Sequence, residues 1–244
     1  DAVPMMPRAS SRYMIRGLRD SYASRQSVLV LGEVYTGGGS GGINSIRYYL
    51  GPDGLDSAFD FPLMWALREV VAKDSGGFSA VESVIREAET SYDGSGSVLA
   101  RIVGNHDTTR FLSVAAGNSE GDPWVGVPAQ PTTAEPYDRL KLALSVVLTL
   151  PGIPLIYYGD EFGLAGRGDP DCRRIMPSFQ SVSSFQQSVY DMVKTLGQLR
   201  NCSESMKTGS RTPLFVDKDQ YVFMRDAGDG QPVIILISKA KTKT

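Results

Sequence analysis

Short apolar runs that alternate with helical segments, each run closing on polar or acidic residues, constrain the fold of this 244-residue chain more than any other feature. The runs cover residues 27–31, 58–61, 98–103 and 153–158, and three of them end in Gly32-Glu33, Gly104-Asn105-His106-Asp107 and Gly159-Asp160-Glu161. Helical spacing of apolar residues fills the intervals, over residues 10–24, 42–50, 62–72, 78–92, 137–150 and 185–200. Strands separated by helices pair in parallel, and their carboxyl ends then share one face. Such a pattern describes part of a (β/α)8 barrel, where catalytic groups project from the ends of several strands. Residues 213–216, 221–225 and 232–238 read as strands with no helix between them, which implies a separate small β domain.

The connecting segments are informative mainly for what they lack. The glycine-rich stretch 37–42 has no Gly-Lys-Ser/Thr ending, so it is expected as a mobile loop and not as a phosphate cradle. A net charge of −2 gives no polyanion-binding signature, which argues against nucleic acid as a partner. The longest apolar run, residues 140–150, is interrupted by Lys141 and Ser145, so no transmembrane segment and no membrane partner is expected. Cys172 and Cys202 lie far apart without CxxC spacing, and indicate neither zinc nor a disulfide scaffold. The chain starts at Asp1 and stops just after an apolar run, so both ends are expected to be cut from something longer, and the compartment stays open.

The stretch Gly104-Asn105-His106-Asp107-Thr108-Thr109-Arg110 holds the only histidine and packs amide, imidazole, carboxylate, hydroxyls and guanidinium after an apolar strand. That composition suits a site at a strand end, although Asn-His-Asp could equally be turn chemistry.

Read together, Leu31-Gly32-Glu33-Val34, Gly104-Asn105-His106-Asp107 and residues 152–161 (GIPLIYYGDE) resemble successive motifs of the α-amylase family of glycoside hydrolases, in the family's order. Gly168-Asp169-Pro170-Asp171-Cys172-Arg173-Arg174 is similar to a loop of its maltogenic-amylase, neopullulanase and cyclomaltodextrinase-like members. The resemblance implies the C-terminal half of a (β/α)8 TIM barrel over residues 1–203, from the end of barrel strand 4 to helix 8. The start of a C-terminal β domain would follow over residues 204–244. The N-terminal half of the barrel is then a missing partner.

Retaining cleavage of a glycosidic bond needs a carboxylic acid and a carboxylate nucleophile roughly 5–5.5 Å apart. The resemblance assigns the general acid/base to Glu33, the transition-state-stabilising carboxylate to Asp107 and the nucleophile to Asp1. Pro4 and Met5 depart from the lysine and histidine common just after that aspartate. It further implies that His106 donates to sugar hydroxyls, with Asn105, Arg110, Tyr35, Asp171 and Arg174 as further substrate contacts. Asn105 and Arg110 could equally brace the loop, and the alternating charges Asp169, Asp171, Arg173 and Arg174 could equally pair internally. Asp160 and Glu161 are expected to orient the final barrel loop. The implied activity is a retaining α-glycoside hydrolase on α-1,4-glucans or maltooligosaccharides. A transglycosylase of the same family and a non-catalytic glucan-binding homologue are the alternatives. No cofactor is needed for this chemistry; structural calcium is possible, but no metal ligand can be assigned. The chain alone is expected to be inactive.

Overall fold

A computed structural model of the chain describes residues 2–22, 25–118, 121–122 and 124–239. Four short parallel strands form its spine: β1 (Leu31–Gly32), β2 (Ser57–Ala58), β3 (Ala100–Arg101) and β4 (Ile153–Pro154). Leu31 sits opposite Ser57 and Ala100 opposite Ile153, while a single parallel bridge between Phe59 and Ala100 links the two pairs. The strands therefore follow one another across the spine in chain order, and helices occupy each crossover.

Helix α1 (Arg8–Tyr22) precedes β1, α2 (Gly39–Tyr49) joins β1 to β2, and α3 (Phe61–Leu67) with α4 (Phe78–Tyr92) joins β2 to β3. Asp60 caps α3, its carboxylate accepting from the Leu63 amide at 3.2 Å, while Pro62 sits in the first turn where a missing N–H costs nothing. Short α5 (Phe111–Ala115) and long α6 (Ala134–Thr149) separate β3 from β4, and α7 (Ser184–Cys202) and α8 (Glu204–Lys207) follow. Helix α7 opens on a capping box: Ser183 accepts from the Gln186 amide and Gln186 returns the bond. The chain closes in an antiparallel meander of β5 (Ser210–Val216), β6 (Gln220–Asp226) and β7 (Val233–Ser238).

One apolar cluster runs through most of the molecule. Leu67 and Val71, Phe111 and Leu112, and Leu140 and Leu144 meet the inner face of the meander at Tyr221, Phe223 and Ile237. The β unit expected from residue 204 onward thus shares a core with the barrel helices. A buried ion pair reinforces the seam, Arg211 reaching Glu82 at 2.6 Å and Glu89 at 2.7 Å on α4. None of the described helices is long and apolar enough to cross a membrane.

Three expectations need correction. The parallel strands are shorter than their apolar runs, since regular pairing covers two residues of each. Beside β1 the Asp56 carboxylate, in place of a backbone group, accepts the Val30 amide at 2.8 Å. The glycine stretch 37–42 is not wholly loop, because α2 begins at Gly39. There a Cβ on Gly42 would lie 2.0 Å from the Gly37 carbonyl oxygen, so glycine lets the helix start fold back on its own loop. The helical run 62–72 changes character at Arg68, and residues Arg68–Ala72 form a π turn.

Candidate active site

The carboxyl ends of β1 and β3 build the site. Gly32 ends β1 against Leu55, whose methyl carbon would stand 2.5 Å from a Cβ there, so any larger residue would have to displace the Leu55 methyls; Glu33 follows directly beyond it. Glu33 is 5% exposed, and its Oε1 accepts from Asn105 Nδ2 at 2.8 Å. Asn105 also accepts the Asp107 amide through Oδ1, at 3.2 Å. One amide side chain therefore ties the carboxylate of one strand end to the backbone of the other. Asp107 Oδ2 lies 3.3 Å from His106 Nε2, and ligand atoms of Glu33, His106 and Asp107 all fall within 4.8 Å of one another.

Glu33, Asn105, His106 and Asp107, four of the expected site residues, thus converge from distant parts of the chain. Tyr35 stands exposed beside them, its ring edge-on to Phe61 at 4.9 Å. A recess of about 340 Å³ lies between Tyr35 and α2, lined by Pro4, Val34, Tyr35, Ser45, Tyr48 and Tyr49 and by none of those four residues. Asp1 lies outside the described residues, but the amide of Val3, two positions on, donates to the Glu33 carbonyl at 3.1 Å.

Arg110 ties together the segments that follow β3 and β4. It is buried and donates to the carbonyls of Tyr158 at 2.6 Å and Cys172 at 2.8 Å and to Asp160 Oδ1 at 2.9 Å. Its guanidinium lies 4.1 Å from the centre of the Tyr157 ring. Arg174 grips Asp171 through two contacts, at 2.8 and 2.7 Å, so this pair is satisfied within its own loop. The charge in that loop that reaches the site is Arg173, at 3.1 Å from Asp107 Oδ1 and 2.8 Å from Asp169 Oδ1. The Cys172 thiol donates to the His106 carbonyl at 2.9 Å.

Burial pushes the Asp160 carboxyl from its ordinary 3.8 up to about 6, with Arg110 acting in the opposite direction. Its Oδ2 meets no hydrogen-bond partner among the described residues. An acid whose pKa rises on folding binds more protons in the native state between the two values. It therefore adds stability below about pH 4 that is lost as pH rises through about 6. Relative to Asp160→Asn, the parent protein is expected to lose about 2 kcal/mol between pH 4 and 6.5, read by urea unfolding at each pH. A difference that stays flat across that window would refute the assignment.

Glu33, His106 and Asp107 are also the one such cluster of metal-competent groups among the described residues. They do not suit calcium, which takes six to eight oxygens, since one donor is an imidazole and Asp107 is already engaged by Arg173.

The profile of the alpha-amylase catalytic domain matches residues 5–220. The chain belongs to the alpha-amylase family. It is 29% identical over 220 residues to a cyclomaltodextrinase of Thermoanaerobacter pseudethanolicus, spanning 90% of this chain and 33% of that protein. A cyclomaltodextrin glucanotransferase of Paenibacillus macerans is 27% identical over 242 residues, 99% of this chain and 30% of the relative. Among solved structures, the alpha-amylase from Geobacillus thermoleovorans complexed with acarbose superposes with a TM-score of 0.76 at 28% identity, over 97% of this chain and 46% of that one. The alpha-amylase match thus spans about a third of the curated relatives' length and under half of that structure.

Two residues in or behind this cluster escaped sequence reasoning. Arg173 was one of four alternating charges, and nothing in the sequence says which of them turns inward. Arg68 stands in the apolar run Phe61-Pro62-Leu63-Met64-Trp65-Ala66-Leu67-Arg68-Glu69-Val70-Val71, and it is buried. Its signal was legible: Phe61, Met64 and Arg68 share one helical face with Ala72, and an arginine on an apolar face needs a buried partner.

Proposed function

We propose that this chain carries the acid/base half of a retaining α-glycoside hydrolase acting on α-1,4-glucans or maltooligosaccharides. The observation that carries this reading is the Glu33–Asn105–Asp107 junction, which holds two carboxylates from separate strand ends within one hydrogen-bonded cluster. Glu33, shielded from solvent, protonates the departing glycosidic oxygen and then takes a proton from the incoming water. Asp107 and His106 face the cleft half-exposed and hold hydroxyls of the sugar under attack. Asp1 attacks the anomeric carbon; the Val3–Glu33 backbone bond supports this by anchoring the residues just after Asp1 beside the acid. Tyr35 offers an apolar ring face for a neighbouring sugar. The Arg110–Asp160 and Arg174–Asp171 pairs hold the loops that frame the cleft.

Double displacement retains configuration, so proton NMR of the first product released from a maltooligosaccharide is expected to show the α-anomer. Initial β-anomer would overturn the assignment. The glucanotransferase relative favours a second reading, in which the same carboxylates pass the glycosyl unit to a sugar. Product analysis at high acceptor concentration separates transfer from hydrolysis.

The fragment reading belongs to the same proposal: a barrel half over residues 1–203, the start of a β domain over 204–244, and a preceding half barrel as partner. Its support lies at the edges. Among the described residues β1 pairs only with β2, and β4 only with β3. Beside β1, Leu29 and Leu31 are exposed, as are Tyr13, Met14, Leu18 and Tyr22 of α1.

A further inference from the structure

We infer that Arg68 is a positioning residue for the catalytic carboxylates, acting through Thr108 and Asn105. The inference rests on the roles given above to Glu33 and Asp107, and adds a residue that is neither at a strand end nor in contact with the cleft.

Arg68 opens the π turn. The Lys73 amide bonds back to the Arg68 carbonyl at 2.9 Å, an i to i+5 closure that widens the helix at this point. Single π turns recur at functional sites because the extra residue redirects a side chain. Here the guanidinium reaches the loop after β3, where Nη2 donates to Thr108 Oγ1 at 3.0 Å and to the Thr109 carbonyl. The backbone there leaves room for it, since a Cβ on Gly104 would lie 3.3 Å from that same nitrogen.

The Thr108 hydroxyl oxygen passes the constraint on, because it also accepts the Asn105 amide at 3.1 Å. With its backbone pinned, Asn105 can direct its side chain in one sense only. Nδ2 faces the Glu33 carboxylate and Oδ1 faces the Asp107 amide, whereas the flipped amide would set oxygen against carboxylate and N–H against N–H. Each member is buried: Arg68 is 1% exposed, Thr108 3% and Asn105 4%. Away from water, a charge-assisted bond at the head of such a chain is strong, and its loss is not made good by solvent. The relay thereby sets the separation of the acid/base from the stabilising carboxylate, a spacing that catalysis tolerates to within about 0.5 Å.

The test uses the longer polypeptide that includes the preceding half barrel, carrying Arg68→Met, Arg68→Lys, Thr108→Val and the double substitution Arg68→Met/Thr108→Val. Thr108→Val removes the hydroxyl and leaves the Arg68 bond to the Thr109 carbonyl, so it keeps the buried charge anchored. Both Arg68→Met and Thr108→Val are expected to lower kcat on maltooligosaccharides by about 30- to 100-fold with KM within threefold, as for a misplacement near 1 Å. The double variant should fall no further than the worse single one. Arg68→Lys, which can still donate to Thr108, should recover most of the rate. If Arg68→Met does not fold, Thr108→Val decides. Thr108→Val with unchanged kcat and KM beside an active parent would overturn the relay. An inactive parent would instead count against the proposed function. In that event the ¹⁵N signals of the Asn105 side-chain amide still decide: the relay requires them to shift and to exchange faster in Thr108→Val, and unchanged signals would overturn it.

Discussion

Replacing Glu33 with glutamine is expected to remove nearly all turnover of maltooligosaccharides while leaving the fold intact. Glutamine has the shape of glutamate, and its carbonyl oxygen can still accept the Asn105 amide that now bonds Oε1. Buried as Glu33 is, the substitution removes a charge without opening a cavity. What disappears is the proton. An unactivated sugar alkoxide is a poor leaving group, and general acid catalysis at such a centre is worth about 10²–10⁴-fold. We therefore expect kcat/KM on maltooligosaccharides to fall by about 10³-fold or more. On α-glucosyl fluoride, whose leaving group needs little protonation, the fall should be about tenfold or less, because kcat/KM reports the first displacement. This split between substrates distinguishes an acid from a binding residue, whose loss would penalise both alike. Equal losses on the two substrates, or parent-like activity on the oligosaccharide, would remove Glu33 from the role.

How much of this was legible in the sequence follows from the physics of each element. Strand ends are conspicuous because an apolar run must stop abruptly where backbone meets a polar cleft, and Glu33 and Asp107 were found by that contrast. Helices α4, α6 and α7 announced themselves through apolar spacing, whereas the Ser183–Gln186 cap of α7 appears only in the fold. Helix α5 left no trace, because five residues buried on every side have no polar face to set a period. The start of α2 was hidden in a glycine run whose use depends on one contact, Gly42 against the Gly37 carbonyl. Arg173 and Arg174 are neighbours of identical chemistry; that the first turns to Asp107 and the second to Asp171 is a property of the folded loop alone. Asp1, assigned by resemblance, falls outside the described residues, so its place beside Glu33 remains part of the proposal.

The 244-residue polypeptide produced by itself is expected to show no glycosidase activity and to self-associate. Its parallel spine presents β1 on one side and β4 on the other, each bonded to a single neighbour among the described residues. An open strand edge of this kind offers unpaired amides and carbonyls to any other strand, and closing a barrel is what removes such edges. The apolar residues agree with the backbone. Residues 153–156, β4 and the two positions after it, are only half-buried, unlike Ala100 in its bonded neighbour β3 and Ile102 just after it, which are fully covered. On the other side α1 turns Tyr13, Met14 and Leu18 to solvent, and Leu29 and Leu31 lie exposed along β1. Exposed apolar residues gathered on one element mark a contact surface, and these lie on the two elements, α1 and β1, that a preceding barrel strand and helix would meet. Activity should suffer more than folding, because α6, α7 and the meander share one apolar cluster while Glu33, the proposed acid/base, follows directly on the unsupported strand β1. Sedimentation and maltooligosaccharide assays on the isolated chain, with and without the preceding half barrel supplied in trans or in cis, read both effects. A monomeric isolated chain with turnover equal to the longer polypeptide would refute the fragment reading, and would require the site to close without a second wall.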